Sequence, residues 1–110
     1  MAHQVLEQVS LELKALNIIS SNREFCTAWL AKDPSYMRVL RFHNRTPSAD
    51  ALVTCASKLG YYAEHLAKSP NSENHSMAAK FTELRGLCLS ELDQLARSKW
   101  MTAERMGLCG

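Results

Sequence analysis

Glycine and proline are scarce in this chain, at four and three residues of 110, which excludes a loop-rich or collagen-like molecule. Valine and isoleucine are few, while Ala, Leu, Lys, Glu, Arg and Met are common, so strand is disfavoured and helix is favoured. No apolar run approaches the roughly 20 residues that span a bilayer. The opening MAHQVLEQVS lacks a basic region followed by an apolar block, so no secretory signal is read there. No pair of cysteines has C-x-x-C spacing. Cys26, Cys55 and Cys88 are therefore read as small apolar core residues and Cys109 as an exposed thiol, not as metal ligands or disulfides. Hydrophobic residues make up 46% of the chain, enough for a packed core, so disorder is excluded. The expectation is an all-α protein of the cytoplasm with no membrane contact.

Acid is missing where base is present. Residues 20–48 carry Arg23, Lys32, Arg38, Arg41 and Arg45 against Glu24 and Asp33, a local net charge of +3 in a chain of +2. Residues 34–49 contain no acid at all. A basic patch on an otherwise near-neutral chain suits contact with phosphates.

Apolar spacing and capping residues divide the chain into helices. Residues 2–16 form an amphipathic helix through Val5, Val9, Leu13 and Leu16, with Asn17 as its stop and Ile18-Ile19 plugging the core. Ser21-Asn22-Arg23-Glu24 fits a capping box in which Ser21 and Glu24 each satisfy the other's amide, opening a helix to about residue 31. Asp33-Pro34 ends that helix and starts the next, with aspartate as N-cap and proline at the first helical position. This third helix, residues 34–43, turns Met37 and Leu40 inward and Ser35, Arg38, Val39 and Phe42 outward. Asn44-Arg45-Thr46-Pro47 closes it. Ser48 caps a fourth helix with a stripe of Leu52, Cys55, Ala56, Leu59, Ala63 and Leu66, and Gly60 predicts an end or bend near Tyr61-Tyr62. After a linker at residues 68–72, a long fifth helix reaches about residue 100. Its stripe is Met77, Phe81, Leu84, Cys88, Leu92 and Leu95, followed by a frayed tail.

Two short helices joined by a tight break, the second of them basic, match a helix-turn-helix. The second helix is narrow enough for the major groove, where arginine pairs with guanine O6 and N7. These residues resemble the lambda-repressor/Cro-type helix-turn-helix family of small phage and bacterial regulators. Ser35-Tyr36-Met37 is similar to that family's S-Y-L at the start of the recognition helix. Arg45-Thr46-Pro47-Ser48 is similar to its R-x-P-S, and Ser21-Asn22-Arg23-Glu24-Phe25-Cys26 to its S-Q-E-E-L-A. The resemblance covers residues 11–60 and departs from the family in three ways. The stretch between the helices is one residue longer. Ala31, Lys32 and Asp33 stand where the turn usually has a glycine. Arg41 and His43 replace the acidic residue and glycine that close the recognition helix. The longer pattern also resembles uncharacterised small proteobacterial proteins.

The resemblance implies a lambda-repressor-like bundle of four to five helices that binds double-stranded DNA as a transcriptional repressor. Ser35, Arg38 and Arg23 would face bases, and Ser21, Lys32, Tyr36, Arg41 and Arg45 would face phosphates. Residues 1–68 form the expected DNA-binding domain and residues 69–110 a C-terminal extension. The fifth helix must bury its stripe, either by folding back or by pairing with a second copy. Pairing is preferred, because dimers read palindromic half-sites, which makes Met77, Phe81, Leu84, Cys88, Leu92 and Leu95 a homodimer seam. The alternative is a helical protein-interaction module, an adaptor or an inhibitor of a bacterial enzyme. His65, His75 and Cys88 lack metal-ligand spacing, and Cys26 with His43 lacks an orienting acid. No metal, cofactor, small-molecule ligand or enzymatic activity is expected.

Overall fold

The computed structural model describes residues 4–107. Among these residues the chain is all-helical: α1 (Gln4–Ala15), α2 (Asn22–Glu24, continued without a break by a π-helical turn, Phe25–Trp29), α3 (Tyr36–His43), α4 (Ala49–Ala67) and the long α5 (Ser72–Trp100). Cys109, expected as an exposed thiol, lies outside the described residues.

Local capping sets the helix starts. The Glu24 amide donates to Ser21 Oγ at 3.2 Å, while Glu24 Oε1 accepts from the Ser20 amide at 2.8 Å. The capping box therefore forms, but its return arm takes Ser20 rather than Ser21. Ser48 Oγ accepts from the Ala51 amide at 3.2 Å and Asn71 Oδ1 from the Glu73 amide at 2.9 Å, opening α4 and α5. Three helix ends close on a left-handed residue: Asn17 (φ 60°), Ala31 (φ 54°) and Asn44 (φ 50°). Asparagine tolerates that conformation, whereas alanine is strained there by its Cβ.

The π turn explains the extra residue between the second and third helices. The Leu30 amide donates to Phe25 O at 3.2 Å and the Lys32 amide to Cys26 O at 2.9 Å, each one residue further back than in an α-helical end. The turn absorbs the added residue while Phe25, Cys26 and Trp29 stay buried. Lys58 of α4 then donates from Nζ to the carbonyl of Ala28 at 2.8 Å and sits 4.5 Å from the Trp29 ring. It supplies a partner for a carbonyl that the widened turn leaves open.

One hydrophobic core holds all five helices. Leu6, Val9 and Leu13 of α1 join Phe25 and Trp29, Met37 and Leu40 of α3, Leu52, Cys55 and Leu59 of α4, and Phe81, Leu84 and Cys88 of α5. The α1 stripe thus centres on Leu6, with Val5 and Leu16 at its margin. Trp29, Tyr62 and Phe81 pack as an aromatic trio with ring centroids 5.8, 6.4 and 6.5 Å apart. The most extensive helix contact is between α4 and α5, which run antiparallel: Ala67 shares a groove with His75, and Leu95 one with Pro47.

Two expectations are corrected here. Phe81, Leu84 and Cys88 are buried inside one chain, while Met77, Leu92 and Leu95 are half-buried against the same core. The stripe on α5 is satisfied by folding back and does not form a free homodimer seam. The core also runs across the expected boundary between residues 68 and 69, so α5 packs as part of the bundle. In addition, α4 continues through Gly60 instead of ending there, and the Arg85 side chain of α5 lies across the space a Cβ would fill. No helix among the described residues is long and apolar enough to cross a membrane.

Candidate nucleic-acid interface

The α3 helix is held from three sides. Asp33 Oδ1 accepts from the Ser35 amide at 2.8 Å and the Ser35 hydroxyl at 2.6 Å, bracing the turn that leads into α3. The helix itself starts at Tyr36 with Ser35 as its N-cap, two residues later than the expected Asp33-Pro34 start. The Ser35 hydroxyl, then its amide, holds the Asp33 carboxyl below its usual value, with the charges of Arg23 and Arg38 acting in the same direction. Tyr36 Oη accepts from the Ser48 amide at 3.0 Å, tying α3 to the start of α4. Below, Met37 and Leu40 are buried. At the far end, the Arg45 amide donates to Leu40 O at 2.9 Å past the left-handed Asn44.

The other face of α3 is open. Arg38, Val39, Arg41, Phe42 and His43 are exposed along it, and Arg45 follows. Arg38 and Arg23 both act on Asp33, which brings the start of α2 and the middle of α3 into one electrostatic neighbourhood. Among the described residues, Arg23, Arg38 and Arg45 form no ion pair. The acid-free stretch seen in the sequence thus becomes a basic surface centred on the outward side of α3.

Five of the eight side chains expected to face DNA also bond within the chain. Ser21 caps α2, Ser35 donates to Asp33, and the Tyr36 hydroxyl is bound to Ser48. Arg41 Nε lies 2.7 Å from Glu7 Oε1 on α1, and Lys32 Nζ lies 2.9 Å from Asp50 Oδ2 on α4. Hydrogen bonding to Asp50 raises the Lys32 ammonium above its ordinary value. Tyr36 therefore acts as a strut between helices, a role that sequence spacing did not disclose. Glu7 and Asp50 were missed as well, because each comes from a helix remote in sequence. The available signal is the lone acid in the first turn of α1 and of α4. Phe42, on the same outward face, is 83% exposed.

The fold and this surface define a small all-helical bundle presenting one short basic helix. The chain belongs to the family described as DUF6626, a family of unknown function, whose match spans residues 6–101. No curated protein and no solved structure matches it.

Proposed function

We propose that this protein binds duplex DNA sequence-specifically, with α3 entering the major groove, and acts as a transcriptional repressor by occupying its site. The observation that carries this reading is the division of α3 into two faces. Met37 and Leu40 anchor it, and Arg38, Phe42 and the adjoining Arg45 face solvent without an acid partner. An α-helix with its side chains is about 10–12 Å across, which fits the roughly 12 Å major groove. Arg38 and Arg23 are the base-reading side chains, and Arg45 sits on a phosphate. The Arg41–Glu7 and Lys32–Asp50 pairs oppose this use only weakly. Their arginine and aspartate ends are half-exposed or more, and such pairs contribute about 0–1 kcal/mol, so a phosphate can replace the carboxylate.

The test is selection of bound sites from a random duplex library by the full chain. An enriched motif that Arg38→Ala weakens and relaxes, by about 1–3 kcal/mol at one position, supports the reading. Two half-sites about 10 bp apart mean two chains per site, and one half-site means a single chain. Recovery of no motif, together with a co-purifying protein, favours the helical adaptor instead.

A further inference from the structure

We infer that Phe42 reads the C5-methyl group of a thymine, an inference that rests on α3 being the DNA-reading helix. Phe42 is the most exposed of the large hydrophobic side chains among the described residues, at 83%. It is not a stray residue on an apolar patch. Arg38 stands one turn before it on the same face, exposed and without an ion pair, while Arg41, next in sequence, pairs with Glu7 of α1 and Arg45 follows beyond the left-handed Asn44 that ends the helix. Val39, 42% exposed, lies one turn earlier on the same side. The His43 ring meets the phenyl ring edge-on, with centroids 5.0 Å apart, which limits its freedom in the unbound chain.

An exposed aromatic ring on a helix face that carries arginine and no acid suits a partner that is anionic at its rim and apolar at one point. The major groove provides this combination. Phosphates line its edges, and the methyl group of thymine is the apolar feature on its floor. A protein partner with a hydrophobic pocket would also cover a phenyl ring, but residues 34–49 hold Arg38, Arg41 and Arg45 and no acid, which suits an array of anions. Spacing sharpens the assignment. Residues four apart on a helix are separated by about 6 Å along its axis, close to two base-pair steps of about 3.4 Å. Arg38 on guanine and Phe42 on thymine therefore predict a G and a T about two steps apart in the bound site.

The probe is the best duplex from the selection, with each thymine replaced in turn by deoxyuridine, which lacks only the methyl group. At one position the wild-type chain should lose about fourfold in affinity, the worth of one buried methyl. Phe42→Ala should bind the thymine and deoxyuridine duplexes equally, and Phe42→Leu should keep part of the difference. Phe42 carries none of the core, so both variants fold, and unchanged circular dichroism confirms it. Selective binding with the same affinity for thymine and deoxyuridine at every position overturns the Phe42 assignment alone. Absence of any sequence-selective binding overturns the DNA reading and the Phe42 assignment with it.

Discussion

Arg41 on α3 and Glu7 on α1 meet at 2.7 Å, so one acid from the first helix sits under the basic face of the third. Glu7 both steadies α3 and cancels part of the charge that α3 offers to phosphate. Glu7→Gln should cost under about 1 kcal/mol of stability. It should raise affinity for duplex DNA about two- to fivefold at low ionic strength, with the gain shrinking as salt is added. Fluorescence anisotropy across a salt series measures both effects. A variant that binds no better than wild type at low salt would remove Arg41 from the contact surface.

Ala31 ends the π turn with φ at 54°, a conformation that suits glycine. Ala31→Gly relieves that strain and should stabilise the chain by about 1 kcal/mol, seen as a rise in Tm of about 4–8 °C. A fall in Tm would mean that the Cβ of Ala31 contributes more than its backbone costs.

Leu84 is buried in the core that α5 shares with α1 and α4 of its own chain, so its removal should act within a single chain. Leu84→Ala should cost about 2–5 kcal/mol, and the loss should be the same at every protein concentration. A loss that fades as concentration rises would restore α5 as a seam between copies.

Asp33 supplies the prediction for acid. Its carboxyl is held below the ordinary value of 3.8 by the Ser35 hydroxyl and amide, with help from Arg23 and Arg38. A depressed carboxylate stabilises the fold fully above its unfolded value and loses that contribution as pH falls through its lower folded value. Protection of the Ser35 amide, the exchange rate of an unfolded amide at the same pH relative to its own, should therefore fall as pH drops below about 3.8. Asp33→Asn should leave that amide without the charge-dependent step. Nuclear magnetic resonance exchange rates at a series of pH values give the comparison.

The chain displays its local grammar openly. Ser21, Asp33-Pro34, Ser48 and the linker before α5 mark helix boundaries because caps act over three or four residues, and the structure starts its helices within two residues of those marks. The inward choice of Met37 and Leu40 was equally visible, since helical periodicity separates them from Arg38 and Phe42. Distant relationships were not. Nothing near Arg41 announces Glu7, and nothing near Lys32 announces Asp50, because ion pairs between helices depend on how the helices cross. The apolar stripe of α5 announced that it would be buried but not by what, as intramolecular and intermolecular partners leave the same periodicity. The π turn was half visible: one surplus residue was countable, whereas the bulge that absorbs it was not.

The shared interior has a consequence for how this protein can be divided. Severing the chain between α4 and α5 would strip Phe81 from Trp29 and Cys88 from the interior face of α4, leaving two fragments with wet, unmatched greasy sides. The long α5 and the helices it covers are thus a single packed unit. Changes on the exposed outer face of α3 leave that shared interior untouched, whereas a cut before α5 opens it.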